Sequence, residues 1–390
     1  MDNLRQTRHT WVEINLDNLA HNIMEIKKNI NSNTKIMAVV KANGYGHGSV
    51  DVARTFLDNG ADRLAVGVLA EAVELRNSGI ECPILILGYT PPEQYDRVLR
   101  YNIIQTIYSY DDARILSDLC VKLSKVAKIH IKIDSGMGRI GFLPNNKAIG
   151  DIEKISKLPN INIEGIFTHF AKADEYDKAY TKVQFERFID VVKALDAKGI
   201  DIPLKHVSNS AAIIDLREYN LDMVRPGIML YGYYPSDEVD KKKIELKPAM
   251  TLRARISNIK KVPEGTGISY GQIFSTQKES IIATLPIGYA DGYSRMLTGK
   301  GMAFINGKMA PVVGKICMDQ LMIDVTHVNN INIGDEVVLF GYNEGYPKVD
   351  EIAKHLGTIN YEVICMVGRR VPRIYLKDGK ITNIIDYILD

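Results

Sequence analysis

Cysteine is scarce in this chain. The four at positions 82, 120, 317 and 365 show no short paired spacing, so neither a thiolate zinc site nor a disulfide framework is expected. Neither sign of charge is in excess: 49 basic and 47 acidic side chains leave a net charge of +2, which removes the electrostatic footprint of nucleic-acid or anionic-membrane binding. No apolar run approaches the length of a membrane span. The polar start, Met1 to Arg8, has no apolar stretch of signal-peptide length behind it, so a cytoplasmic location is expected. The sequences G-x-G-x-x-G after a strand and G-x-x-x-x-G-K-[ST] are absent, as are internal repeats, low-complexity tracts and metal-ligand spacings. What remains is ordinary globular composition in a chain too long for one common core, with a small molecule as the expected partner.

What is there begins at Met37-Ala38-Val39-Val40-Lys41-Ala42-Asn43-Gly44-Tyr45-Gly46-His47-Gly48-Ser49. The apolar run reads as a short buried strand ending at Lys41, and the three glycines turn the chain toward a helix that begins near Ser49. A lysine at such a strand end can snorkel, its stem on the wall and its amine in water. It can also be a Schiff-base lysine, because an amine among apolar walls is readily pushed to low pKa.

Short apolar runs alternate with helical patterns from residue 35 to 228. The runs are Lys35–Lys41, Leu64–Val68, Pro83–Gly88, Ile103–Ile107, Lys128–Ile133, Ile163–Thr168, Leu204–Ser208 and Met223–Arg225. Amphipathic segments at Leu16–Lys28, Ala70–Ser78, Asp111–Lys122 and Tyr180–Lys198 supply helices. Eight such alternations predict an α/β fold, an N-terminal (β/α)8 barrel of the TIM type with its site at the C-terminal strand ends. After Pro248 the pattern becomes strand-like without intervening helices: Thr251–Lys260, Ser280–Leu285, Met302–Ile305, Ala310–Val313, Leu321–Val325 and Glu336–Phe340. Asn306-Gly307 is a hairpin turn of the preferred kind. A barrel over residues 10–240 and a mostly β domain over 245–390 are therefore expected, joined by the charged stretch Pro235 to Lys243.

Polar groups gather where the barrel rim should be. Lys41 closes the first strand, Arg139 follows the fifth, Thr168-His169 ends the sixth, His206 to Ser210 the seventh and Arg225-Pro226-Gly227 the eighth. A single strand-end His or Arg more often satisfies a backbone carbonyl. Five together on one rim favour a site.

The motifs Val40–Gly48, Ile133–Phe142, Gly165–Ala171, Val207–Ala212, Val224–Gly232, Gly267–Gly271, Pro286–Tyr293, Ile316–Gln320 and Thr358–Met366, in that order, resemble the alanine racemases over nearly the full length. The resemblance implies pyridoxal 5'-phosphate bound as a Schiff base on Lys41, and two-base interconversion of L- and D-alanine that supplies D-alanine for peptidoglycan. Lys41 serves one face of the substrate Cα, and Tyr270 of Gly267-Ile268-Ser269-Tyr270-Gly271 serves the other. A phenol ordinarily titrates near about 10, so that role calls for polarising groups, which the resemblance supplies as His169 and Arg225. Arg225 would also face the pyridine nitrogen and keep it unprotonated. The phosphate falls to Ser208, the Gly227 and Ile228 amides, Tyr45 and Tyr361.

By the same resemblance, Arg139 meets the cofactor's phenolic oxygen and, with the Met318 amide, the substrate carboxylate. Lys132 matches a lysine that some members carry as N6-carboxylysine, paired with Arg139. Tyr289, Arg295, Asp174 and Asp319 line the substrate entrance, and Lys315 stands where many relatives have arginine. Tyr270 reaches the other subunit's barrel, so a homodimer with composite sites is expected. The alternatives are a basic amino-acid decarboxylase or serine racemase on the same architecture, or a barrel-only pyridoxal-phosphate carrier. The bulk of Tyr361 argues against widened pockets, and the second domain against the carrier.

Overall fold

The computed structural model describes residues 8–389 and divides into two compact units. One comprises Leu19–Gly44 and Ser49–Leu246. The other gathers residues 8–18, Tyr45–Gly48 and residues 247–389.

Strand β1, Thr10–Asn15, precedes the helix Leu16–Asn29. Then follow β2 (Lys35–Val39), β3 (Arg63–Val66), β4 (Ile84–Ile86), β5 (Ile104–Ile107), β6 (Ala127–Lys132), β7 (Ile161–Phe167), β8 (Leu204–His206) and β9 (Met223–Val224). Each overlaps one of the eight expected runs. They pair in parallel in chain order from β2 to β8, with β9 returning to β2. The ring closes between β8 and β9 through Asp222 N–H to Lys205 O at 3.2 Å and Arg225 N–H to Ser208 O at 3.0 Å. Helices such as Ser49–Asp58, Leu69–Asn77, Tyr110–Leu123, Asn146–Ser156 and Ala179–Asp196 connect the strands. Their apolar stripes face the sheet: in Tyr110–Leu123 the buried positions are Ala113, Leu116, Ser117 and Cys120, at the three-to-four spacing of one helix face. Ser109 caps that helix by accepting from Asp112 N–H at 3.1 Å.

In the second unit one ten-stranded sheet runs β11-β14-β17-β16-β15-β18-β10-β1-β19-β20. Its strands are β10 (Met250–Arg255), β11 (Asn258–Val262), β14 (Ser280–Leu285), β15 (Met302–Ile305), β16 (Lys308–Val313), β17 (Leu321–Asp324), β18 (Glu336–Phe340), β19 (Arg373–Lys377) and β20 (Lys380–Ile385). The pair β12 (Gly267–Ile268) and β13 (Phe274–Ser275) stands apart. Three features depart from the expected pattern. Strand β1 pairs antiparallel with β10 and parallel with β19, so it belongs to this sheet although the 10–240 reading groups it with the barrel. The run 251–260 is two strands, because the chain leaves β18 after Arg255 and takes β14 as its partner from Asn258. Two helices, Val349–Leu356 and Asn360–Cys365, interrupt what reads as an all-strand region.

No helix among the described residues is long and apolar enough to cross a membrane, and no group of three or more His, Cys, Asp or Glu there is placed to hold a metal ion.

Candidate active site

Lys41 follows β2 by two residues and opens a left-handed turn: Ala42, Asn43, Gly44 and Tyr45 have φ of 53°, 54°, 59° and 50°. Only glycine adopts this region freely, so Ala42 and Tyr45 each cost on the order of 1 kcal/mol or more and must be held there. Glu71 accepts the amides of Ala42 at 2.6 Å and Gly67 at 2.7 Å, while Asn43 Oδ1 accepts the amide of Ser49 at 3.0 Å. The Tyr231 hydroxyl donates to Val39 O at 3.0 Å, anchoring the strand end before the lysine. The later glycines of the motif answer to close packing within the second unit: a Cβ on Gly46 would lie 2.2 Å from Ile364 O, and one on Gly48 1.8 Å from the Tyr375 hydroxyl.

Arg225, just past β9, is 4% exposed. A guanidinium so placed needs its protons matched, since burying one unpaired costs several kcal/mol. The carbonyls at the ends of two strands supply the match. Nη2 donates to Thr168 O at 2.7 Å and Val207 O at 3.1 Å, and Nη1 to His206 O at 2.9 Å and His206 Nδ1 at 2.8 Å. Burial pushes its pKa down to about 9, still charged at neutral pH.

Lys132, at the end of β6, is 3% exposed, its amine 4.9 Å from the centre of the Phe167 ring and 3.3 Å from Ile133 O. Burial first, then the charges of Arg225 and Arg139, hold its pKa well below the ordinary lysine value. Arg139 is exposed, on a loop folded around Asp134. That carboxylate accepts the amides of Gly136, Gly138 and Arg139, each at 3.0 Å. Burial opposes its ionisation, but these amides keep the carboxyl below its ordinary range.

His169 follows β7, its backbone bracketed by Gln184, which donates to His169 O at 3.2 Å and accepts from Ala171 N–H at 2.8 Å. Burial, then Arg225, Lys132, Arg139 and Lys41, push its imidazole pKa well below the ordinary value. Four basic side chains therefore act on one neutral ring. A potential so strongly positive suits a ligand carrying several negative charges, such as a phosphate and a carboxylate.

Ser208 and Gly227 lie on the same rim but are engaged internally. The Ser208 hydroxyl donates to Tyr219 O at 3.0 Å, and the Gly227 amide to Ser210 Oγ at 3.0 Å. Ile228 is fully buried.

Asp174 lies in the barrel unit, and the remaining expected residues lie in the second unit. Tyr45 and Tyr361 face each other with ring centres 6.3 Å apart, and burial followed by Tyr361 raises the Tyr45 pKa. Tyr270 is 71% exposed in the β12–β13 turn, between Ser269, Gly271 and Gln272, all with positive φ. Ser269 Oγ donates to Lys315 O at 2.6 Å, tying that turn to the strand end that leads to Met318. Tyr289 N–H and Ala290 N–H donate to Cys317 O and Met318 O, both at 3.1 Å, and a Cβ on Gly288 would lie 2.3 Å from each of those oxygens. Tyr270, Met318 and Tyr289 are thus brought onto one set of linked loops. Asp319 accepts from Arg370 at 2.7 Å.

The sequence reading leaves His206 on the rim without a role and passes over His130, Glu164 and Arg63. One signal was available: Gly165 sits in mid-strand, and a Cβ there would come within 2.6 Å of the His130 ring.

Fold and site define an enzyme built of a parallel barrel with a cationic rim and a strand-rich second unit. Family models for the alanine racemase N-terminal and C-terminal domains match residues 14–235 and 249–375. The chain is 56% identical to an alanine racemase of Clostridium tetani over 98% of its own length and all of the relative's. The alanine racemase structure of Clostridium difficile 630 superposes with a TM-score of 0.95 at 47% identity, covering 97% of this chain and 98% of that one. The Bacillus anthracis alanine racemase structure, with bound L-Ala-P, gives 0.92 at 40% identity, covering 98% and 99%. The chain belongs to the alanine racemase family, whose reaction is the interconversion of L- and D-alanine.

Proposed function

We propose that this chain racemises alanine by a two-base mechanism with pyridoxal 5'-phosphate held on Lys41, in the cytoplasm, supplying D-alanine for peptidoglycan. The observation that carries this reading is the set of four basic side chains, Lys41, Lys132, Arg139 and Arg225, acting on His169 at the barrel rim. When bound, the cofactor withdraws electron density from the substrate Cα and makes its proton removable.

The protein's own groups do the rest. The Lys41 amine anchors the cofactor and, once released by substrate, moves the proton on one face of Cα. The Tyr270 hydroxyl of a partner copy moves it on the other. Arg225 spends Nη1 and Nη2 on His206 and on strand-end carbonyls, so Nε is the donor we assign to the ring nitrogen. A fixed positive charge there disfavours protonation of the ring and restrains it as an electron sink. Arg139 and the Met318 amide hold the substrate carboxylate, with Tyr289 beside them. Ser208, Gly227, Ile228, Tyr45 and Tyr361 are assigned to the phosphate, the first two turning from their internal partners. Borohydride reduction of the cofactor-loaded protein, followed by peptide mapping, is expected to leave the pyridoxyl group on Lys41. Label on any other lysine contradicts the assignment.

Lys132 is proposed to be carbamylated. Burial and two arginines disfavour protonation of its amine, and the unprotonated amine adds carbon dioxide, releasing one proton and leaving a carbamate whose negative charge pairs with Arg139. In crystals grown with bicarbonate, density for three additional atoms on Nζ is expected. A bare amine there removes the modification and leaves Arg139 in place.

A further inference from the structure

Arg225 is one end of a line of side chains that runs through the barrel. His206 Nε2 lies 2.9 Å from His130 Nδ1, and His130 Nε2 lies 3.3 Å from Glu164 Oε2. Glu164 in turn accepts from Arg63, Nη1 to Oε2 at 2.6 Å and Nη2 to Oε1 at 3.4 Å. Arg63 is on β3 and Glu164 on β7, opposite strands of the ring, so they meet only through its interior. The line starts at the N-terminal end of β3 and finishes at the C-terminal rim.

Its proton arrangement follows from the chemistry of the two ends. A guanidinium only donates, so His206 Nδ1 must present a lone pair to Arg225. A neutral His206 then carries its proton on Nε2 and donates to His130 Nδ1. His130 therefore carries its own proton on Nε2 and donates to the Glu164 carboxylate, which only accepts. One arrangement satisfies every contact with both rings neutral, and all its donors point toward Glu164. The surroundings agree. Both imidazole pKa values are lowered, by burial first. Burial works against the Glu164 carboxyl, yet its bonds to His130 and Arg63 hold it at about 2. His206 is stacked on Phe167 with ring centres 4.8 Å apart, and Gly165 leaves the space His130 occupies.

We propose that Glu164, acting through His130 and His206, is a positioning residue for Arg225: it fixes the tautomers of both rings and so the orientation in which the guanidinium meets its ligand. This rests on the role given to Arg225 above. The arrangement is read directly by neutron diffraction from crystals of the deuterated, cofactor-loaded protein. Deuterons are expected on Nε2 of both His130 and His206; a deuteron on Nδ1 of either ring overturns the proposal, whatever reaction the protein catalyses. Glu164→Leu supplies the kinetic arm. It removes Oε2, the oxygen that takes both the shorter Arg63 bond and the His130 contact, so the acceptor that fixes the His130 tautomer is lost. Racemisation kcat is expected to fall roughly tenfold, as for loss of an outer partner that orients a site ligand, with the KM for alanine within about twofold. If the single variant does not fold, Arg63→Leu/Glu164→Leu removes both charges together, buries no unmatched charge and is expected to show the same split. An unchanged kcat in the folded variant also overturns the proposal. A wild-type protein that does not racemise alanine sinks the functional reading instead, and the neutron result still decides this one.

Discussion

A Tyr270→Phe variant is expected to lose racemisation by on the order of a thousandfold, while the Cα proton of D-alanine continues to exchange with deuterated solvent. The substitution removes one hydroxyl and keeps the ring. Because Tyr270 is 71% exposed in a turn held by the Ser269–Lys315 bond, its hydroxyl is not needed for packing, and the loss reports on chemistry. Racemisation needs an acid and a base on opposite faces of Cα, and exchange on one face needs only one. Lys41 remains in the variant, so the enantiomer assigned to it still gives up its proton and takes a deuteron. Near-normal racemisation would remove Tyr270 from the mechanism. Loss of exchange with both enantiomers would place the defect at Lys41 or in cofactor binding.

Mixing two dead variants is expected to restore activity. If each site takes Lys41 from one copy and Tyr270 from the other, Lys41→Ala and Tyr270→Phe chains unfolded and refolded together form hybrid dimers for about half of the population. Each hybrid holds one intact and one doubly defective site, so about one quarter of wild-type activity returns. Should both residues serve from the same chain, every site in the mixture lacks one base and activity stays at the level of the single variants. The refolded mixture of wild-type chains alone sets the yield against which the quarter is read.

Much of the barrel is legible in the sequence because buried parallel strands read as apolar runs and their helices as amphipathic stretches, each within a few residues of its observed position. The rim is legible for the same reason: where a strand ends, Lys41, Thr168-His169 and Arg225 break the apolar pattern. Contacts made only by closure of the fold are not legible. Strand β1 takes β19 as its parallel neighbour more than three hundred residues away, which no local pattern encodes. The split of 251–260 depends on a change of partner strand, and the helix Val349–Leu356 declares itself mainly by Gly357 at its C-terminus, with φ of 70°. Glu164 and His130 read as ordinary strand residues. Only the opposition of β3 and β7 across the barrel gives them to Arg63 and, through His206, to Arg225.

The central claim is that this rim racemises alanine, and chiral chromatography of L-alanine incubated with the pyridoxal-phosphate-loaded protein tests it most directly. The two enantiomers are equal in free energy in water, so D-alanine is expected to rise to parity with L-alanine and stop there, with Lys41→Ala inert under the same conditions. Parity approached from either enantiomer is the predicted result. L-Alanine that stays unconverted, or that disappears without D-alanine forming, contradicts the account.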